Sequence, residues 1–348
     1  MKRRKLILGG LFILLIAASV LSVCVGAVKI GAGELWSIIM NQLGFSNIQN
    51  YSQQQEAVFT TLRLPRTLLG ILVGATLAIA GATIQGLFRN PLAEPGLIGI
   101  SAGATLFAVI MIVLEARFFS FMTATFGYYA LSIAAFFGGA LATLIVYRLS
   151  MNRGKADITT LLLAGIAINA LAGSFTGLLT YPASDDQLRN ITFWSMGSLG
   201  SASWKTVGVI LPLVLLPLIA LPFFAKPLNA LALGEAQAGH MGIHVGLLKS
   251  MTIILATLGV GASVSVSGMI GFIGLVIPHI LRMAFSADNR LVLPGSALLG
   301  ASVLVLADLI SRVIVAPAEL PIGIITAILG CPVFIYIILV ERRKRSFV

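Results

Sequence analysis

The sequence predicts an all-α membrane protein that crosses the bilayer about ten times. Of its 348 residues, 58% are hydrophobic and only 10% are charged, whereas a soluble domain carries about a quarter of charged residues. A spanning helix needs about 20 mostly apolar residues in succession, and the chain contains ten such apolar stretches. The formal charge of +11 does not indicate nucleic-acid binding, because the Lys and Arg residues stand at the ends of apolar stretches.

The ten apolar stretches define the predicted spans and their orientation. The first follows basic residues 2–5 and resembles a signal peptide, but no cleavage pattern ends it, and we interpret it as a retained helix. Lys and Arg in short loops mark the cytoplasmic side. With the N-terminus inside, 16 of the 23 basic residues fall in inner loops, which predicts that both termini are cytoplasmic. The predicted spans are residues 6–28, 62–86, 97–114, 121–147, 158–181, 204–224, 248–268, 270–286, 293–314 and 319–341.

Two loops and one break in the apolar pattern are expected to carry structure. Residues 29–61 and 182–203 form long outer loops, and the second contains a predicted helix near residues 185–194. Between the seventh and eighth spans only residues 268–271 interrupt the apolar pattern. Non-helical backbone at membrane depth requires cover by protein or water, so we expect this corner to be buried or to face a cavity. No repeat or linker divides the chain, and residues 1–348 are treated as a single transmembrane domain.

Few ionisable residues stand inside the predicted spans. Asp308 is the clearest intramembrane acid, and Arg312 follows it at the i,i+4 spacing of an ion pair. A structural pair is favoured here over a functional site. His240 and His244 share that spacing, but no third ligand accompanies them, so a surface position is favoured over a metal site. The two cysteines lie far apart in apolar stretches, and no disulfide, metal site, cofactor or catalytic residue is predicted.

The sequence also contains no loop typical of nucleotide-binding proteins. The motif G-x-x-x-x-G-K-[ST] is absent, since the only Gly-Lys pair, Gly154-Lys155, has Leu149 where the first glycine is required. If ATP drives transport by this protein, we therefore expect the ATPase to be another polypeptide.

Small residues recur on one face of the second and fifth spans. In the fifth span Gly165, Asn169, Gly173 and Gly177 follow one another every four residues, so they share a helical face. Close helix packing and the lining of a wide path both fit this pattern. In the second span, residues 70–82 show a similar series of Gly and Ala, for which close packing is favoured.

An inner segment, residues 228–246, is apolar at helical spacing but interrupted by glycine at three positions: Gly234, Gly239 and Gly242. This pattern predicts two short helices broken by glycine. The segment carries few Lys or Arg to attract lipid. Docking into a groove of a partner protein is therefore favoured over lying on the membrane.

Several short motifs follow one another in a fixed order along the chain. They are residues 63–66 (Arg-Leu-Pro-Arg), 81–85 (Gly-Ala-Thr-Ile-Gln), 89–96 (Arg-Asn-Pro-Leu-Ala-Glu-Pro-Gly), 233–235 (Leu-Gly-Glu), 271–279 (Gly-Phe-Ile-Gly-Leu-Val-Ile-Pro-His) with Arg282, 319–323 (Glu-Leu-Pro-Ile-Gly) and 330–332 (Gly-Cys-Pro). One such motif would be weak evidence, but the ordered set is specific. Together the motifs resemble the permease subunits of bacterial ABC importers for iron chelates and cobalamin, and the match covers nearly the whole chain.

The resemblance implies an assembly in the bacterial inner membrane. Two ten-helix subunits would form a homodimer within the lipid, with two cytoplasmic ABC ATPase subunits below and a periplasmic or surface substrate-binding protein above. The translocation path would run along the dimer axis and be lined largely by the fifth helices. In this chain, the small-residue face of the fifth span would form that lining.

Two further sets of residues receive roles from the resemblance. In relatives, outward-facing arginines receive carboxylates from the loaded binding protein, and the matching positions are Arg63, Arg66 and Arg312. A guanidinium binds a carboxylate bidentately, although plain interfacial anchoring is the alternative. The glycine-broken inner segment is implied to sit in the ATPase. The coupling residues assigned there are Leu233, Gly234, Glu235 and Ala236.

The cargo is read from the outer segment that precedes the sixth span. Residues 185–189 and 192–199 look most like the haem-importing branch of the family, so haem is favoured over a ferric siderophore, with cobalamin behind. A weakly polar, uncharged path can pass a bulky flat ligand without holding it. Tyr181 is only a candidate iron ligand.

Two other classes of function are disfavoured. A secondary transporter working alone is disfavoured by the scarcity of intramembrane acids, and an integral-membrane enzyme by the lack of a convergent catalytic set.

Overall fold

The computed structural model describes residues 2–45, 50–152 and 155–345, which are almost entirely helical; Gly154 of the lone Gly-Lys pair lies outside them. Two-residue strands β1 (Met151–Asn152) and β2 (Lys155–Ala156) pair antiparallel. The α-helices are α1 (Lys2–Cys24), α2 (Ala32–Gln42), α3 (Gln53–Ala57), α4 (Leu64–Phe88), α5 (Ile100–Leu114), α6 (Ser120–Phe126), α7 (Ala130–Leu149), α8 (Ile158–Thr180), α9 (Asp185–Met196), α10 (Trp204–Ala220), α11 (Ala225–Leu231), α12 (Glu235–His240), α13 (Val245–Ser267), α14 (Ile273–Ala284), α15 (Asn289–Val313) and α16 (Ile322–Arg345).

Each of the ten predicted apolar stretches contains a helix. Within the described residues, seven helical segments are long and apolar enough to cross a membrane. Three shorter apolar helices, α5, α14 and residues Ile322–Tyr336 of α16, coincide with the third, eighth and tenth predicted spans. The prediction of an all-α membrane protein is therefore confirmed. The seven segments are Lys2–Cys24, Gln53–Phe88, Ser120–Leu149, Ile158–Thr180, Trp204–Leu231, Val245–Ser267 and Asn289–Val313.

Helix α4 forms the centre of the bundle. Over its most apolar window 83% of the residues are buried, and it packs against α10, α13, α14 and α15. Close approach to the antiparallel α15 depends on glycine. A Cβ on Gly74 would lie 2.5 Å from the Gly300 carbonyl oxygen, and one on Gly300 would collide with the Cβ of Ala78. The interpretation of the second span's small residues as a packing face is confirmed, because only small residues let two backbones approach this closely.

The break between α13 and α14 is partly buried and partly borders a cavity, as predicted: Gly268 and Ile270 are buried, whereas Met269 and Gly271 are exposed and line a cavity. Gly268 and Phe272 adopt left-handed φ angles of 66° and 69°, which end one helix and redirect the chain into the next. Ser267, at the end of α13, is 2% exposed, and its carbonyl accepts a hydrogen bond of 2.7 Å from the Ser198 amide. The connection between α9 and α10 thus covers the interrupted backbone, which explains why the interruption is tolerated there.

Both long loops carry helices. The first contains α2 and α3, and the second contains α9, which confirms the helix predicted near residues 185–194. Ser184 begins α9: its side chain accepts a hydrogen bond from the Gln187 amide, and the Gln187 side chain accepts one from the Ser184 amide. This reciprocal pair satisfies two backbone donors at the start of the helix.

Candidate functional site

Four charged side chains from three parts of the chain meet at the end of the bundle where α4 begins. Arg66 Nη2 lies 2.8 Å from Asp308 Oδ1, and Arg66 Nη1 lies 2.7 Å from Glu319 Oε1. Arg312 Nε lies 3.1 Å from Asp308 Oδ2, which confirms the predicted i,i+4 pair. We call Arg66, Asp308, Arg312 and Glu319 the arginine cluster. The sequence did not reveal that Arg66 and Glu319 complete it.

The arginine cluster has a buried half and an accessible half. The Asp308 side chain is 2% exposed and is flanked by two guanidinium groups that are each 12% exposed. A buried carboxylate is stable only when it is paired in this way. Glu319 is 44% exposed, and the hydrogen bond from Arg66 holds its pKa below the ordinary value of 4.5. The cluster therefore presents one ionised carboxylate to the outside and keeps the other within the protein.

Arg63 lies beside the cluster, but its guanidinium binds backbone carbonyl groups of the same chain. Its side chain is 5% exposed and donates hydrogen bonds to the carbonyl oxygens of Val23, Cys24 and Val28. The Val23 and Cys24 carbonyls lie at the end of α1, where helix carbonyls lack partners within the helix, and the Val28 carbonyl lies in the following loop; the Cys24 carbonyl also accepts a 3.3 Å hydrogen bond from the Ile30 amide. Arg312 also donates to the Ser22 hydroxyl at 2.9 Å. The three arginines assigned to docking thus lie at one end of the bundle, and each is engaged by intramolecular contacts.

The small-residue face of α8 is divided between two environments. A Cβ on Gly165 would collide with the Leu97 carbonyl oxygen, whereas one on Gly173 or Gly177 would meet no atom within 4 Å. Asn169 Nδ2 donates a 3.0 Å hydrogen bond to the Gly96 carbonyl. Only 17% of the most apolar window of α8 is buried. Close packing therefore applies to Gly165, whereas Gly173 and Gly177 face open space within the subunit.

A cavity of about 420 Å³ lies beside this face of α8. Its wall includes residues 94–97, part of α13 and the break between α13 and α14. Glu94 is the single titratable side chain among the lining residues, and burial raises its pKa above 4.5. Ser101, Thr105, Asn169 and Thr176 add neutral polar groups. The cavity is therefore weakly polar, with one carboxyl group in its wall, and Glu94 was not singled out from the sequence.

The glycine-broken segment forms the two predicted short helices, α11 and α12. Gly234, between them, has a φ of 127°, a conformation that glycine adopts without strain. Leu233 is 67% exposed, and Glu235 begins α12. The helices therefore present an exposed apolar side chain beside a carboxylate.

Lys249 of α13 ties this segment to the start of α8. Its Nζ lies 2.8 Å from Glu235 Oε1 and 2.9 Å from the Ala156 carbonyl oxygen, with the lysine side chain only 6% exposed. Asp157, the next residue, begins α8 by accepting a hydrogen bond from the Thr160 amide at 2.7 Å. Lys249 was not singled out from the sequence, although a lone lysine at the start of an apolar helix was the available signal.

Two residues from separate motifs of the sequence meet in the core. The Arg282 guanidinium donates to Gln85 Oε1 and, at 3.1 Å, to the Ala82 carbonyl. Gln85 Nε2 donates to the Leu275 carbonyl at 3.0 Å. These bonds hold α4 against α14, so the two motifs form one structural contact. His240 and His244, in contrast, are exposed, as predicted.

The chain is similar to known proteins along nearly its full length. The model of the FecCD transport family matches residues 14–340. The hemin transport system permease protein HmuU of Yersinia pestis is 43% identical over 98% of both chains. The vitamin B12 import system permease protein BtuC of Escherichia coli O9:H4 (strain HS) is 38% identical over 96% of this chain and 94% of that protein.

A solved structure supports the same conclusion at the level of the fold. It is described as an inward-facing conformation of a metal-chelate type ABC transporter, and it matches 96% of this chain and 98% of its own with a TM-score of 0.82 at 30% sequence identity. The chain therefore belongs to the FecCD transport family and is a multi-pass membrane permease of that family.

Proposed function

We propose that this chain is the membrane subunit of an ATP-driven importer that passes haem into the cytoplasm. The observation that carries the proposal is the 43% identity to a hemin permease over 98% of both chains. Two subunits of ten membrane-crossing helices, with all termini in the cytoplasm, would form the permease. ATP would be hydrolysed by two separate ATPase subunits, and an external binding protein would deliver the cargo.

The accessible face of α8 supports a path at the dimer axis. Gly173 and Gly177 meet open space within the subunit, and Asn169, Gly173 and Thr176 border the 420 Å³ cavity. A wall of small and neutral polar groups offers few strong contacts, so a large flat ligand can move along it. Gly165 contributes differently, because its lack of a side chain seats residues 95–98 against α8.

The contacts of α12 support a coupling role for Leu233, Gly234, Glu235 and Ala236. Leu233 is 67% exposed and offers an anchor for a groove in the ATPase. Glu235 is bonded to Lys249, which also holds the carbonyl that precedes α8. A displacement of α12 by the ATPase would therefore act on the start of the path helix through a single side chain.

The arginine cluster supports docking of the binding protein by exchange of carboxylates. Arg66 holds Glu319 by two hydrogen bonds of 2.7 and 2.9 Å, and an incoming carboxylate would replace Glu319 there. Arg312 would strengthen the local positive potential. Arg63 would take part only after leaving the three carbonyl groups that it now binds.

Cobalamin is the second candidate cargo, because the chain is 38% identical to a vitamin B12 permease. A ferric siderophore is the third, since the matched solved structure is of a metal-chelate type transporter.

One experiment separates these cargoes. The chain would be co-purified with its ATPase in lipid, and ATP hydrolysis measured with binding proteins loaded with haem, cobalamin or a ferric siderophore. We expect stimulation by the haem-loaded protein alone. Stimulation only by another loaded protein would change the cargo and keep the architecture, whereas absence of any co-purifying ATPase would contradict the importer itself.

A further inference from the structure

A cleft of about 430 Å³ opens where α1, α11 and α15 meet, at the end of the bundle opposite the arginine cluster. Three basic side chains, Arg4 of α1, Lys226 of α11 and Arg290 of α15, line it. Each comes from a different helix and lies within a few residues of the end of an apolar segment. The fold therefore gathers three cations at a single point where apolar helices end.

These cations are only partly neutralised within the protein, because the Asp288 carboxylate interacts electrostatically with Arg4 and Arg290 but has a single charge. Among the residues that the structure describes, no side-chain hydrogen bond or ion pair is formed by any of the three. Asp288 is the nearby acid, and its Oδ1 accepts hydrogen bonds from Asn229 Nδ2 at 2.6 Å and from the Arg290 amide at 2.9 Å. Three cations and one carboxylate leave the cleft with a positive charge.

Hydrogen bonds of Asn229 fix the shape of the cleft. Asn229 of α11 bonds Asp288 through Nδ2, and its Oδ1 accepts a 2.9 Å hydrogen bond from the Asn289 amide at the start of α15. This clamp joins α11 to α15, so Lys226 and Arg290 are presented by elements that are fixed relative to each other.

The remaining wall of the cleft is apolar and accessible. Phe223, in the turn before α11, is 76% exposed, and the rest of the apolar wall is formed by Leu8, Pro222, Ala225 and Pro294. Leu8 stands one helical turn after Arg4 in α1, whose most apolar window has a mean hydropathy of 2.7. Cations at the end of an apolar helix lie at the depth of lipid headgroups, and basic clefts between helix ends are typical sites for anionic headgroups.

We propose that this cleft binds an anionic phospholipid, with Arg4, Lys226 and Arg290 around the headgroup phosphate and an acyl chain along Leu8 and Phe223. Guanidinium groups hold phosphate oxygens by charge-assisted hydrogen bonds. The apolar wall favours a lipid over free phosphate, because free phosphate would leave that wall exposed to water. The lipid would bridge α1 and α15 to the helix that leads into α12.

The full chain in detergent provides the test. Its thermal unfolding midpoint would be titrated with cardiolipin, phosphatidylglycerol, phosphatidylcholine and inorganic phosphate, and retained lipid would be counted by native mass spectrometry. We expect the two anionic lipids to raise the midpoint and to be retained. Equal effects of phosphatidylcholine would overturn the proposal, and so would stabilisation by inorganic phosphate at the same concentration.

A charge-matched pair of triple variants tests the residues. In the first, Arg4→Gln, Lys226→Gln and Arg290→Gln remove the cations of the cleft. In the second, three exposed basic residues outside the cleft are replaced: Arg3→Gln, Lys205→Gln and Arg148→Gln.

Each cation near an anionic lipid contributes about a fivefold gain in affinity, so the first variant should bind on the order of a hundredfold more weakly. The control variant should stay within about twofold of the parent. Equal losses in the two variants would show that only total charge matters and would refute the site.

Discussion

At the scale of single residues, burial decides which charges in the arginine cluster matter for stability. Asp308 is 2% exposed and sits between two arginines, whereas Glu319 is 44% exposed and bonded to one. Removing one member of a buried ion pair leaves a charge without compensation, while an exposed pair is screened by water. The same Arg66 side chain thus takes part in one strong and one weak interaction.

We expect Asp308→Asn to lower the free energy of unfolding by about 3 kcal/mol and Glu319→Gln to lower it by less than about 1 kcal/mol. Unfolding of the detergent-solubilised chain by a chemical denaturant would measure both. Equal losses would show that exposure does not separate the two carboxylates.

Glu94 gives a second residue-scale prediction, on pH. Burial raises its pKa in the folded protein above 4.5. Below pH 4.5 the group is protonated in both states and contributes nothing. As pH rises above that value, the unfolded chain ionises first, so the folded state loses stability until its own pKa is passed.

We therefore expect the parent to lose stability relative to Glu94→Gln as pH rises through this window. Unfolding midpoints of both proteins, measured between about pH 4 and 8, would show this relative loss of stability. A difference that is constant across this range, or that favours the parent at higher pH, would contradict the placement of Glu94 in the cavity wall.

At the scale of elements, different contacts hold α8 at its start and at its middle. Its start is fixed by Asp157 and by the carbonyl of Ala156 that Lys249 binds. Its middle rests on residues 95–98 through Gly165 and Asn169. Both supports come from segments distant in sequence, so movement of α8 requires that these contacts change.

Replacement of Lys249 tests the first support. Lys249→Met keeps much of the side-chain volume but cannot bond Glu235 or Ala156, so we expect ATP hydrolysis to proceed with reduced stimulation by loaded binding protein. Glu235→Lys should act in the same way, because it places two cations together. Lys249→Arg is the conservative control and should retain stimulation. If loaded binding protein stimulates ATP hydrolysis of the Lys249→Met complex as strongly as that of the parent, the coupling role proposed for Glu235 is contradicted.

Two valine substitutions on α8 test the second support. Gly165→Val inserts atoms against the Leu97 carbonyl, and overpacking of this kind costs about 1–3 kcal/mol. Gly173→Val meets open space, so the subunit should unfold at the parent's midpoint while cargo uptake falls. Thermal unfolding and uptake into proteoliposomes would be measured for both. Normal uptake by Gly173→Val would remove that residue from the path.

At the scale of the whole molecule, α8 is the least buried of the seven described segments that are long enough to cross a membrane. Helix α4 is 83% buried over its apolar window, but α8 is 17% buried. Leu171 and Leu178 of α8 are 52% and 67% exposed. Lipid can cover such side chains, but the proposed path also requires the α8 helices of two subunits to face each other.

A cysteine substitution at Gly177 tests whether this face of α8 is covered by lipid or by a second subunit. In a background with Cys24 and Cys331 replaced by serine, Gly177→Cys should give a cross-linked dimer with a short bis-maleimide. Gly9→Cys on α1, which also meets open space, should remain monomeric. Cross-linking at neither position, or equally at both, would argue against α8 at the dimer axis.

The class of the protein and its local elements follow from the order of residues along the chain. Apolar stretches, the glycine-broken segment and the Asp308–Arg312 pair depend on spacings of a few residues, which are visible along the chain. All of these agree with the structure.

The tertiary structure shows which distant residues meet. Arg66 finds its two carboxylates 242 and 253 residues away, and Lys249 bonds a backbone carbonyl 93 residues away. It also separated Gly165, which packs against a carbonyl, from Gly173, which faces open space. A helical repeat places such residues on one face, but what that face meets depends on how the helices pack. The spacing of residues along the chain does not show which helix such a face meets.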